Sequence, residues 1–133
     1  MKKFVIGFLF DGNGNVALIE KNRPDWAKGR LNGVGGHIEK GETPLQAIAR
    51  EFYEEAGPKI SWRQFCLLKG EGYQHYRFTS RDKAEISSKT DEHVGWYPIN
   101  KLPANVIPNL LWLIPMANYE LEINGTVIHP SPT

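Results

Sequence analysis

Two apolar runs open the chain. Residues 3–10, KFVIGFLF, and 15–21, NVALIEK, are rich in β-branched and aromatic residues and are separated by the turn-forming DGNG, which predicts a β-hairpin. The next segment, KNRPDWAKGR, is polar and holds a proline and a glycine, so it reads as a loop. LNGVGGHIEKGE then places four glycines between Gly33 and Gly41, the composition of a turn or of backbone that must approach something closely.

The period changes at Thr43. Thr43 and Gln46 have the spacing of a capping box, Pro44 suits the first helical position, and Gly57 with Pro58 supplies a stop, which predicts a helix from Pro44 to Ala56. Leu45, Ile48, Ala49, Phe52 and Ala56 fall on one stripe of that helix, facing the core. Further on, SWRQFCLLKG, GYQHYRFTS and HVGWYPI read as strands, with residues 79–93 part strand and part exposed loop. NVIPNLLWLIPMA reads as a helix packed by Leu110, Leu111, Leu113 and Ile114, with Pro108 near its start. Asn124 and Gly125, within YELEINGTVIH, predict a closing hairpin. Mixed α+β elements without a repeat or linker fit one domain over residues 1–133.

Composition narrows the class. A hydrophobic fraction of 41% and a charged fraction of 23% are those of ordinary globular chains. With 16 basic and 15 acidic residues, nothing points to a nucleic-acid polymer as partner. The apolar run from Leu110 to Met116 is broken by Pro115 and falls far short of a membrane span. The start, MKKFVIGFLFDGNG, has the lysines of a secretory signal but runs into a charged turn, so a strand is expected there. A single cysteine, Cys66, allows no internal disulfide, and a reducing cytoplasm is the expected setting.

The candidate chemistry lies on the first helix. Glu51, Glu54 and Glu55 stand at i, i+3 and i+4, which puts three carboxylates within one turn. Like charges so close call for a positive partner; Arg50 offsets part, and a hard divalent cation suits an all-oxygen set better. Acidic helix faces are commonly just solvated, and three glutamates alone do not decide.

The surrounding residues change that balance. Gly36 to Gly57 reads GHIEKGETPLQAIAREFYEEAG, which resembles the Nudix box: G, five residues, E, seven residues, R-E-U-x-E-E-x-G-U, with U bulky and apolar. Gly36, Glu42, Arg50, Glu51, Phe52, Glu54, Glu55 and Gly57 match at the required spacing, and only the last position departs, holding Pro58. The specific part covers about 23 residues, and the order of strands and helices around it agrees with the same family.

The resemblance implies the Nudix fold, a mixed sheet between helices, and a Mg²⁺- or Mn²⁺-dependent hydrolase of a nucleoside diphosphate linkage. It implies Glu51, Glu54 and Glu55 as metal ligands with the Gly35 carbonyl as a further oxygen, and Glu42 and Arg50 as supports that pair with each other or with the carboxylates. For the group that handles water, Glu55 and Glu92 both stand; Glu92 lies four residues before Trp96, and an ordinary loop glutamate is the competing reading. Such enzymes are often homodimers. Glycines around Gly36 would let the loop fold over the helix start, where free N–H groups favour phosphate.

Substrate clues are thinner. GRLNGVGGH resembles the G-x-W-N-G-x-G-G-K opening of family members that act on oxidised purine nucleoside triphosphates, with Leu31 for Trp and His37 for Lys. By that likeness Asn32 reads the base, while Asn-Gly is also a common turn pair. Pro103, Ala104 and Asn105 match the P-A-N context in which MutT-type enzymes place a base-reading amide, and Asn109 is a rival at the point where human-type enzymes carry paired acids. His37 stands as a phosphate contact or as a solvent-facing strand residue, and His75, His93 and His129 receive no role. ADP-ribose, dinucleoside polyphosphates (hinted at by Tyr76) and a catalytically silent regulatory module are the alternatives, although silent modules usually lose box glutamates and this chain keeps them.

Overall fold

A computed structural model describes residues 1–125. Its strands are β1 (Lys2–Phe10), β2 (Asn15–Glu20), β3 (Leu31–Asn32), β4 (Val34–His37), β5 (Arg63–Gly70), β6 (Tyr73–Arg81) and β7 (Val94–Pro98); its helices are α1 (Pro44–Ala56) and α2 (Leu110–Gly125). All strands join one mixed sheet along the path β3-β2-β1-β6-β5, with β4 paired to β1 and β7 to β2. β1 runs parallel to β6 and antiparallel to β2 and β4. No helix among the described residues is long and apolar enough to cross a membrane.

The expected hairpin forms but splays. Beyond Phe10↔Val16, β1 leaves β2 and takes β4 as its partner from Phe4↔His37 to Gly7↔Val34. The glycine-rich stretch is therefore strand, not only turn, and its glycines allow the close approach their composition suggested. A Cβ on Gly35 would overlap the Val5 carbonyl, and one on Gly36 would overlap the Glu51 carboxylate.

Strand alternation sends β1 side chains to two cores. Val5 and Leu9 join Ile48, Phe52, Trp62 and Phe78 beneath α1. Phe8 and Phe10 join Leu31, Leu110, Leu113 and Ile114 beneath α2. The sheet thus lies between the two helices, as the family resemblance implied.

Several expectations shift. Leu45 is exposed, because burial on α1 begins only at Ala47, where the helix packs on β1 and β4. α2 begins at Leu110, five residues later than expected, and buries Leu110, Leu113, Ile114 and Ala117; Leu111, about 100° around from Leu110, faces outward. Residues 82–93 contain no strand, only a loop after β6. The closing hairpin is corrected too. Tyr119–Gly125 is helical, with Glu120 and Glu122 reaching Arg63 and Arg81 at 3.9 and 3.5 Å, and the hairpin's second half lies outside the described residues.

The Thr43 box closes as its spacing predicts: the Thr43 hydroxyl accepts from Gln46 N at 3.1 Å, and the Gln46 side chain accepts from Thr43 N at 2.9 Å. Thr43→Ala removes one of these partners, and a loss of about 1 kcal/mol is expected. A urea titration with lowered midpoint and unchanged slope is the expected record.

Candidate active site

Helical geometry sorts the three glutamates. With Glu51 as reference, Glu55 lies about 40° toward Phe52 and Glu54 about 60° away from it, so one acid turns into the core edge and one turns out. The structure agrees: the side chain of Glu51 is 16% exposed and that of Glu54 55%, whereas Glu55 is buried.

Arg50 organises the outer part. Its Nε and Nη2 donate to Glu42 Oε2 and Oε1 at 2.6 and 3.0 Å, its Nη1 donates to Glu51 Oε2 at 3.1 Å and Glu54 Oε1 at 3.2 Å, and Nη2 also donates to the His37 carbonyl at 3.0 Å. Glu42 further accepts from Glu39 N at 2.9 Å. The Arg50 hydrogen bonds hold the Glu42 carboxyl below its ordinary range. One guanidinium thus ties the loop before α1 to the acidic turn within it.

Glu55 has no such donor. Its Oε2 is buried without a hydrogen-bond partner, and its pKa is pushed up to about 8 by burial, then by the hydrogen bond and charge of Glu51, with the Glu92 charge adding and Lys21 opposing. Glu55 therefore favours its protonated form. Among the described residues no three of His, Cys, Asp or Glu converge as a ready-made cation cluster. Arg50 holds Glu51 and Glu54 outward while Glu55 turns inward. The set is all oxygen, and its orphaned buried atom, Glu55 Oε2, fits a hard cation.

Glu92 arrives from the loop before β7 and is 4% exposed, which no isolated loop glutamate would be. It accepts from Lys21 Nζ at 3.1 Å and from Asn22 N at 2.7 Å. The same loop caps the end of α1, with Ser87 N donating to Ala56 O at 2.9 Å and Lys89 N to Glu55 O at 3.1 Å. The site therefore gathers Glu42, Arg50, Glu51, Glu54, Glu55 and Glu92, together with Lys21, which has no motif to mark it in the sequence. Gly35 and Gly36 lie alongside in β4, opposite Ile6 and Val5.

The proposed base readers separate. Asn32 accepts from its neighbour Gly33 N at 2.8 Å, and Asn105 Nδ2 donates to Gly29 O at 3.0 Å, tying its loop to the one before β3. Asn109 instead lines a concavity of about 540 Å³ with Phe4, Tyr73, His75 and Arg77, and its Oδ1 is buried without a partner. Phe4 sits 4.6 Å from the His37 ring and 4.7 Å from the His75 ring, centroid to centroid. His75 was not singled out by spacing. Cross-strand pairing Phe4↔His75 brings it to this aromatic shelf, where burial and the Arg77 charge lower its pKa.

A family model described as the NUDIX domain matches residues 2–114. The 8-oxo-dGTP diphosphatase of Escherichia coli is 33% identical over 76 residues, 56% of this chain and 57% of that protein. The NAD-capped RNA hydrolase NudC of Chromobacterium violaceum is 26% identical over 97 residues, 68% of this chain and 37% of that protein. The match thus spans little more than half of one curated relative and about a third of the other. In structure, the NUDIX domain of Shewanella oneidensis NrtR, solved with ADP ribose, superposes with a TM-score of 0.74 at 19% identity, covering 90% of this chain and 87% of that one.

The charge state of Glu55 yields a pH signature. Its folded pKa lies above the ordinary carboxyl value of 4.5, so the folded state holds the proton more tightly than the unfolded state does. Stability from this group is full below about pH 4.5 and is lost as pH rises toward about 8. In chelator, Glu55→Gln is expected to flatten that decline, by on the order of 1 kcal/mol per pH unit within the window. Denaturant midpoints between pH 5 and 8.5, for both proteins, test it; parallel curves refute it.

Proposed function

Because this chain belongs to the NUDIX domain family, we propose that it hydrolyses a nucleoside diphosphate linkage with a divalent metal, acting on a purine nucleoside triphosphate to release nucleoside monophosphate and pyrophosphate. The observation that carries this reading is the buried Glu55 carboxyl with its orphaned Oε2, one helical turn from Glu51 and accompanied by the buried Glu92. Glu51, Glu54 and Glu55 would hold Mg²⁺ or Mn²⁺, with the Gly35 carbonyl as a further oxygen. When bound, the ion supplies neutralisation of the diphosphate and activation of water.

The chain's own groups do the rest. Arg50, fixed by Glu42, orients Glu51 and Glu54. Glu92, buried on the loop before β7, and whichever Glu55 oxygen the ion leaves free are the carboxylate atoms that would orient or deprotonate water. The concavity on the α2 face, about 540 Å³, has room for a base, with Phe4 and His75 as a stacking shelf and Asn109 as the amide on its wall. Gly36 and His37 lie between this shelf and the acidic turn, where the phosphates would pass. Asn32 and Asn105 reach the base only by giving up the loop contacts they now make.

The Escherichia coli diphosphatase supports a triphosphate, in particular an oxidised purine one. The ADP ribose held by the NrtR domain and the NAD-capped RNA relative favour a second reading, a dinucleotide or ADP-ribose substrate. A silent regulatory module fits less well, since every box glutamate is present. With the single cysteine Cys66 free, a reducing cytoplasm is the proposed setting.

Incubation with Mg²⁺ and a panel of canonical and oxidised dNTPs, ADP-ribose and dinucleoside polyphosphates tests the proposal. Pyrophosphate with a monophosphate is the expected product pair. Two nucleotide products from a dinucleotide would support the second reading. Glu54→Gln is expected to lower turnover at least about 100-fold, the scale on which loss of a key electrostatic group acts. No release above that variant for any compound would end the enzyme reading.

A further inference from the structure

Lys21 follows β2 directly, and its backbone is fixed on both sides: its N–H donates to Arg30 O at 2.8 Å and its carbonyl accepts from Gly29 N at 2.7 Å. A side chain launched from so fixed a point is aimed rather than free. Its ammonium donates to Glu92 Oε1 at 3.1 Å, with the lysine side chain 23% exposed and that of Glu92 5%. The neighbouring residues close the same clasp. Asn22 N donates to Glu92 Oε2 at 2.7 Å, Asn22 Nδ2 to Asp91 O at 2.8 Å, and Arg23 Nη2 to Asp91 Oδ2 at 2.6 Å.

Arg23 adds only a distant, solvent-facing contact to Glu92, 3.7 Å away. Lys21 is therefore the close cation of the inner half of the site. Arg50 serves the outer half and donates to Glu42, Glu51 and Glu54, not to Glu55 or Glu92. The loop that carries Glu92 is itself tied to the acidic turn, with Lys89 N donating to Glu55 O at 3.1 Å, so the cation paired with Glu92 lies on the Glu55 side of the site.

We propose that Lys21 is a positioning residue that serves as the resident counter-cation of the inner acidic site, holding Glu92 beside Glu55 when no divalent ion is bound and opposing that ion's entry. The inference rests on the metal reading above. A fixed positive charge near a dication costs affinity, while a buried Glu92 left without a cation costs stability. The residue thus exchanges tighter metal binding for a site that stays assembled without metal.

The test uses the full chain, at one pH, with Mn²⁺ alone as the probe. In chelator, Lys21→Met is expected to lower the melting temperature by several degrees, and the double variant with Glu92→Gln to recover part of that loss. Calorimetric titration is expected to show Mn²⁺ binding to Lys21→Met at least about fivefold more tightly than to wild type. Lys21→Arg, which keeps the charge, is expected to restore the wild-type Kd. Mn²⁺ binding to Lys21→Met with an equal or weaker Kd overturns the counter-cation role while leaving the metal reading intact. No Mn²⁺ uptake by wild type overturns the metal reading and this inference with it. Should Lys21→Met fail to fold, the double variant carries the titration, with the same outcomes read against Glu92→Gln alone.

Discussion

Arg50 spreads its donors over Glu42, Glu51, Glu54 and the His37 carbonyl, and the site's geometry follows from that division. Three carboxylates within one helical turn repel one another, and a helix alone has no means to place them. The bidentate grip on Glu42 fixes the guanidinium first, since a planar fork matches a carboxylate at both oxygens. Glu51 and Glu54 are then drawn to what remains of it. Glu55 is left without a donor and keeps its proton instead.

The sheet makes this arrangement possible by letting β4 pass close to both β1 and α1. Side chains at Gly35 and Gly36 would strike the Val5 carbonyl and the Glu51 carboxylate, so the two glycines set how near the strand lies to the acidic turn. The same strand ends in His37, whose ring meets Phe4 and whose carbonyl receives Arg50. Base shelf and acidic turn are thereby joined through one residue, from opposite faces of one sheet. A small rearrangement of β4 would move both.

Much of this was legible in the chain because the informative residues act locally. The Thr43 box, the Gly57 stop and the Glu42–Arg50 pair lie within one loop and one helix, where spacing fixes geometry. Long-range burial was less readable. Leu45 has the right period but precedes the point where α1 meets the sheet, and Leu111 lies on the outer side of α2. Asn124-Gly125 signals a hairpin only where two strands flank it, and here the preceding residues extend α2. Lys21 and His75 belong to no pattern; each enters through a partner far away in sequence, Glu92 or Phe4. The three asparagines show the converse: amides satisfied by a backbone group look the same in sequence as one that lines a concavity with its oxygen unpartnered.

Charge, more than any motif, then explains why the proposed chemistry needs a dication. Glu51, Glu54 and Glu55 share one turn, Glu42 and Glu92 come from the two loops beside it, and Arg50 and Lys21 are the cations that touch these acids closely. The deficit is met in part, in the metal-free protein, by the proton that Glu55 holds above the ordinary carboxyl range. A polyphosphate would add several negative charges to a region already short of positive ones, and a proton cannot compensate for them. Only a group that displaces the proton and brings two charges in its place serves carboxylates and phosphates together. Binding of ion and nucleotide should therefore be mutually favourable, since each relieves the repulsion that opposes the other.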